Sequence, residues 1–272
     1  MPRPPQAYLT VIAWPNNLDE PGRVDALTRC AGMDRYQARL ASRRNTPGIM
    51  RRIDAPMRGH VLNALHARGI MAFAPTRDEI EAYPDAVVAR GVDQFPNADP
   101  PTFVVKCPDG QPWTFRADEA RLVVTGRITA TRRSVRPDER AVRGMLSIEH
   151  AVLNAASGNL VRVDKHTSMV EMLDLHIASD RGPRLVRLMG PRARIGILGD
   201  DQRHSLLDDT RPAELAEVLM PRAEIDTEFH DFDPPADLRA RNRSSARSTD
   251  LTLEYWVFYS AWRGLIRRAV SG

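Results

Sequence analysis

The residues best placed to do chemistry are His230, Asp231 and Asp233, because alternate side chains of an extended segment share a face and carboxylates beside an imidazole can hold a divalent metal. Pro234 and Pro235 follow at once and make the segment a loop, so a solvated turn is expected and no metal is assigned. Asp200 and Asp201 with His204 form a second acidic group. Asp208 and Asp209 stand just before Thr210, where negative charge offsets a helix dipole. Glu149 and His150 could serve acid–base chemistry only with a further polar residue brought in by a cleft. His60 and His66 are six residues apart, a spacing that one helix cannot bring to one side. There is no GxSxG elbow, no phosphate-binding loop of the Walker type and no HExxH. Gly190, Gly196 and Gly199 have the wrong spacing for a dinucleotide cradle and read as turns. No catalytic residue and no cofactor follows from the sequence.

Charge carries more information. The 272 residues bear a formal net charge of +4, and the basic residues are arginines except Lys106 and Lys165. Guanidinium groups suit carboxylate and phosphate forks. The charge is unevenly placed: residues 1–79, 132–143 and 239–272 are basic, whereas 80–131 and 144–238 are acidic. Arg35, Arg39, Arg43 and Arg44 are the candidate partner-binding residues, and Arg132, Arg133, Arg239, Arg241 and Arg243 are candidates for holding an anion. The run from Arg239 to Arg247 has no interleaved aromatics, so stacking on single-stranded bases is not indicated there. Opposite charges on one chain also allow internal docking.

The elements that would carry these residues begin with the β-rich run Tyr8 to Trp14. Asp19-Glu20-Pro21 opens a helix with Val24, Leu27 and Ala31 on its buried stripe, and Gly32 closes it. Tyr36 and Leu40 mark a second helix by their spacing, and Pro47-Gly48 breaks the chain before a short strand, Ile49 to Ile53. A third helix carries Met57, Val61 and Leu65 on one face, and Gly69 stops it before Ile70 to Ala74. The predicted order over residues 1–79 is β-α-α-β-α-β. Val24, Leu27, Ala31-Gly32-Met33, Tyr36, Ala38, Pro47 and the helix ending Leu65 to Gly69 make this region resemble the C-terminal domain of the bacterial ribosomal stalk protein, whose architecture the ClpS adaptor domain shares. The resemblance covers about the first quarter of the chain and implies a small α/β sandwich that binds other proteins through a helix surface. The stalk domain has lysines and a glycine on that surface where this chain has Arg35, Arg39, Arg43 and Arg44. Translation-factor binding is therefore not carried over.

Pro84, Pro96 and Pro100 make 80–101 read as a linker with a short helical piece around 86–89. Residues 102–232 read as a β-rich domain of about seven strands, among them a hairpin around Pro108-Asp109-Gly110 and separate runs at 160–163 and 172–177, followed by a helix capped by Thr210, an order that resembles a pleckstrin-homology-like sandwich. A helical insertion is expected near 132–158, an arginine-rich linker over 233–249, and an amphipathic C-terminal helix over 250–272, with Tyr255, Tyr259, Trp262 and Ile266 on its apolar face. That face must dock internally or on a partner. Cys30 and Cys107 have no CxxC or metal-ligand spacing, the start of the chain reads as a strand rather than a signal peptide, and no apolar run approaches the roughly 18 residues of a membrane span. A cytoplasmic location is expected. The fold class is α+β, and the function expected is a non-enzymatic protein-binding or regulatory module. The alternatives are a nucleic-acid or ribosome-binding protein using its arginine-rich surfaces, or an enzyme with a non-local active site.

Overall fold

The computed structural model describes residues 5–95, 97–137, 161–180, 182–190, 194–197, 204–205, 212–241 and 252–271. The chain is α+β. Its first part follows the predicted order: β1 (Gln6–Ala13), α1 (Glu20–Ala31), α2 (Arg35–Ser42), β2 (Gly48–Asp54), α3 (Arg58–His66) and β3 (Met71–Phe73). These strands form an antiparallel sheet in the order β2-β1-β3. The predicted punctuation is present. Asp19 caps α1 by accepting from Gly22 N at 2.8 Å, and Gly32 ends that helix at φ 62°, in the left-handed region that a Cβ disfavours.

Alternation along β1 sorts its side chains between two cores. Ala7, Leu9 and Val11 join Leu27, Ala38, Val61 and Leu65 under the three helices. Tyr8 and Ile12 point to the opposite side, into a core with the C-terminal helix α7 (Leu253–Ser271). A sheet buried on both faces cannot belong to a free-standing two-layer domain. Trp262 Nε1 donates to Thr10 Oγ1 at 3.0 Å, Tyr8 Oη donates to Asp237 Oδ2 at 2.7 Å, and the Tyr8 and Phe258 rings meet edge to face at 5.2 Å.

The remainder differs from the expected linker. After α4 (Arg77–Glu81), residues 86–89 form β4 (Ala86–Ala89) rather than a helical piece, and β5 (Gly91–Gln94) follows directly. Each enters a different sheet by parallel pairing, β4 with β10 (Gly182–Met189) and β5 with β11 (Arg194–Ile197). The segment is thus a structural crossover held by partners about a hundred residues later. Strands β6 (Thr102–Lys106) and β7 (Trp113–Arg116) form the predicted hairpin around Pro108-Asp109-Gly110. The runs predicted at 160–163 and 172–177 are one strand, β9 (Val161–Ser179), paired along its length with β8 (Ala120–Pro137). Arg132 and Arg133 therefore extend a strand instead of opening the insertion, and the predicted helix after them lies outside the described residues.

Two five-stranded sheets result, ordered β13-β8-β9-β10-β4 and β12-β11-β5-β6-β7, with β12 at His204–Ser205 and β13 at Glu224–Asp226. They pack face to face through Val92, Phe103, Val105, Val123, Leu175 and Val186, joined by Ala216 and Met220 of and just after α5 (Pro212–Leu219). The predicted Thr210 cap lies outside the described residues. The other face of the first sheet receives α7. In the expected 233–249 linker, residues 236–241 form α6 (Ala236–Arg241), whose Leu238 is buried in the α7 core. The α7 helix is consequently the shared filling between the N-terminal sheet and the β-rich body: its apolar face docks on the chain itself.

Candidate functional site

Two places gather functional side chains: the accessible outer face of α1 and α2, and the buried polar layer beneath α7.

The spacing of Tyr36 and Leu40 predicts a helix here, and α2 forms with both of these side chains outside. Ala38, Ala41 and Ser42 are buried against α1, while Tyr36 is 73% and Leu40 51% exposed. Small side chains let the two helices approach closely and leave the large ones outside. Arg39 and Arg43 lean onto Glu20 of α1, at 3.5 and 2.9 Å, and these guanidinium groups lower the Glu20 pKa. Arg35 forms no ion pair among the described residues and lines, with Arg39, Val24 and Thr28, an open groove of about 580 Å³ between the helices. Arg44 turns away. It donates to Ile49 O at 2.5 Å and reaches Asp233 at 3.0 Å, across a cleft floored by Phe232 and Trp262. Arg44 thus belongs to a seam between two parts of the chain, whose cleft Arg43 also lines, apart from Arg35 and Arg39.

Asp233 is also met by Arg239, which donates to Pro234 O as well. Its carboxylate serves this seam. His230 Nδ1 lies 3.0 Å from Thr227 O and Nε2 3.2 Å from Asp231, both side chains largely exposed, and no group of potential metal ligands occurs among the described residues. Arg241 ends α6, and Arg243 lies outside the described residues.

The layer under α7 was not singled out by sequence reasoning. Along β9, Leu173, Leu175 and Ile177 face the sheet-to-sheet core, so Asp174 and His176 face α7. Asp174 accepts two hydrogen bonds from Arg187 of β10, Nε to Oδ1 at 2.8 Å and Nη2 to Oδ2 at 2.6 Å, with both residues buried. Tyr83 Oη lies 2.7 Å from His176 Nδ1, and Ser260 Oγ lies 3.0 Å from Nε2, so a neutral ring accepts at one nitrogen and donates at the other. Gly264, one turn after Ser260, is required by close approach: a Cβ there would stand 2.3 Å from Tyr83 Oη and 2.6 Å from His176 Nδ1. Further along, Asp226 of β13 accepts from Tyr259 Oη at 3.0 Å and pairs with buried Arg263, which also donates to Glu224 at 2.9 Å. Burial, and then the Asp226 carboxylate, raise the Tyr259 pKa and keep the phenol protonated.

A serine against an imidazole is also the outline of an activated nucleophile. Ser260 has no accessible surface, so a substrate cannot reach its hydroxyl in this arrangement. Burial pushes the His176 imidazole down to about 4; Asp174 opposes this, while Arg187, Arg268 and Arg263 add to it. The linkage has a definite sign. An unfolded histidine titrates near 6.5, so between about pH 6.5 and 4 the unfolded chain holds a proton that folded His176 refuses. Its contribution is complete above pH 6.5 and lost as pH falls toward 4, on the order of 3 kcal/mol. Urea midpoints at pH 7 and pH 4.5 should differ markedly for the natural chain and much less for His176→Gln. An equal drop in the variant would remove His176 as the cause.

Comparison with protein families, curated proteins and solved structures returned no match. Among the described residues no helix is long and apolar enough to cross a membrane.

Proposed function

We propose that the chain is a non-enzymatic protein-binding module that engages its partner through the outer face of α1 and α2. The observation that carries this reading is the outward placement of Tyr36 and Leu40, one turn apart, beside Arg35 and an open groove. A tyrosine and a leucine in solvent forgo burial worth roughly 1.5–3 kcal/mol each, and aromatic anchors ringed by arginine are typical of contact centres. The stalk-like and adaptor-like resemblance agrees with a helix surface as the binding element. A complementary partner presents an apolar ridge flanked by carboxylates. Because Arg39 and Arg43 are shared with Glu20, most of the affinity should rest on Tyr36, Leu40 and Arg35. The test is capture of cellular partners by the immobilised chain, read by mass spectrometry. Tyr36→Ser with Leu40→Ser should abolish capture of a specific protein while leaving thermal stability within about 0.5 kcal/mol, as exposed positions allow. Arg39→Glu with Arg43→Glu should weaken it less. Capture that survives both pairs sinks the assignment.

A second reading, nucleic-acid binding, is favoured by the β8–β9 hairpin. Beyond Ile128 and Val170 this ribbon has no third strand on either side among the described residues. In its register Arg132 stands opposite His166, Arg133 opposite Lys165, and Arg136 opposite Arg162. Like charges across a ladder destabilise it, and a polyanion relieves them. A two-stranded ribbon also fits the major groove of duplex DNA. In the same study, retention of nucleic acid that falls steeply with salt and disappears in Arg132→Ser with Arg133→Ser would move the assignment to this reading.

A further inference from the structure

Beneath the C-terminal end of α7 lies a cavity of about 200 Å³ that neither surface above uses. Its inner end is made by buried Tyr83, His176 and Gly264, its wall by Ala178 and Pro183, and its rim by Arg121, Arg267 and Arg268. We infer that this cavity binds a small organic anion, a carboxylate or phosphate monoester carrying one compact apolar group.

The charge at the rim is the first ground. Arg121 forms no ion pair among the described residues, and the Arg268 guanidinium stands 4.6 Å from the centre of the Tyr83 ring, paired with no described acid. Arg267 donates to Arg121 O at 3.3 Å, and its nearest carboxylate, on Glu224, is 3.5 Å away and shared with Arg263. The buried acid closest to the inner end, Asp174, has both oxygens engaged by Arg187. Three cations thus surround the opening, and among the described residues only Arg267 has a carboxylate partner there, Glu224. An anion placed there gains charge-assisted hydrogen bonds in a partly desolvated setting.

The second ground is the shape and chemistry of the interior. An apolar wall with few convergent polar groups is the usual make-up of a ligand pocket. The inner end is fixed, because Tyr83 and His176 hold each other and Gly264 presses its bare backbone against both. Neutral His176 and the Tyr83 hydroxyl present dipoles rather than charges, so the apolar part of a ligand belongs inside and its anionic head at the arginines. Size sets the class. An enclosed cavity of roughly 150 Å³ accommodates benzene, whereas drug-sized ligands need roughly 300 Å³ or more. One ring or a short branched chain fills the inner part, and the open side leaves the head group at the arginines.

The full chain should be titrated by calorimetry with benzoate and with phenyl phosphate, using benzyl alcohol as the neutral counterpart and inorganic phosphate as the head group alone. Saturable one-to-one binding of at least one aromatic anion is expected, with benzyl alcohol and phosphate far weaker; the tighter anion identifies the head group. Arg121→Gln with Arg268→Gln, both at exposed positions, should weaken binding at least about tenfold, the loss that follows from removing charge-assisted bonds. Pro183→Glu, which puts a carboxylate on the exposed wall beside the arginines, should do the same without lowering the melting temperature. Three results overturn the inference: benzyl alcohol binding as well as benzoate, unchanged affinity in the rim variants, or no saturable binding of either aromatic anion. None of them bears on Tyr36 or Leu40, so this site and the proposed contact face stand or fall separately.

Discussion

Removal of residues 252–272 is expected to yield a chain that aggregates and shows no cooperative unfolding transition. The α7 helix buries Tyr255, Trp256, Phe258, Trp262 and Ile266, and it does so between two sheets. Each such side chain is worth roughly 3–5 kcal/mol when truncated to alanine, while a whole domain is stable by only about 5–15 kcal/mol. Losing the helix removes the shared core and bares the inner faces of both sheets. A single substitution tests the same claim more finely. Trp262→Ala should cost about 3–5 kcal/mol, because it opens a cavity at the centre of the interface and strips the buried Thr10 hydroxyl of its indole donor. Denaturant unfolding followed by circular dichroism, with dye binding for exposed apolar surface, reads both variants. A truncated chain that stays monomeric and melts sharply would show that α7 lies on the body without holding it together.

The second large effect is expected at Arg187. Arg187→Met should destabilise by about 3–5 kcal/mol, since it leaves the Asp174 carboxylate buried without its partner. Asp174→Leu combined with Arg187→Met should recover most of that loss, because the two charges then leave together and apolar groups of similar size take their place. Urea unfolding of the two single variants and the double variant forms the cycle. If the double variant is no more stable than Arg187→Met alone, the pair is not acting as a unit. The same substitution has an electrostatic consequence two residues along β9. With Arg187 gone, one cation that lowers the His176 pKa is absent and Asp174 is free to favour the imidazolium, so the folded and unfolded pKa values draw together and the part of the acid-induced loss that belongs to His176 should shrink.

These effects sit where the sequence was least readable. In β9, Leu173, Leu175 and Ile177 alternate with Asp174 and His176, the pattern of a strand with one face in solvent. Nothing local reveals that a helix from the other end of the chain covers the polar face, or that Arg187, Tyr83 and Ser260 satisfy it. The alternation was the available signal; the partners were not. Likewise the proline-rich stretch from 80 to 101 carries turn residues that read as a linker, and β4 becomes a strand because β10 supplies an edge to pair with, while β5 lies between β11 and β6. In α2, spacing identified the helix but not its inner face: Tyr36 and Leu40 share a side, and Ala38 and Ala41 are what α1 leaves room for.

The sequence by itself determined the elements whose causes are local: the β-α-α-β-α-β order of the first part, the caps at Asp19 and Gly32, the β6–β7 hairpin, and a C-terminal helix with an apolar face too large for water. Periodicity and capping act over a few residues, so they are legible there. Only the tertiary structure decided that this helix fills the space between two sheets, that β8 and β9 form one long hairpin, and that the chain's buried charges meet in pairs. Those contacts join residues far apart in sequence, and they are selected by which surfaces fit and which charges can be satisfied together once the chain has closed on itself.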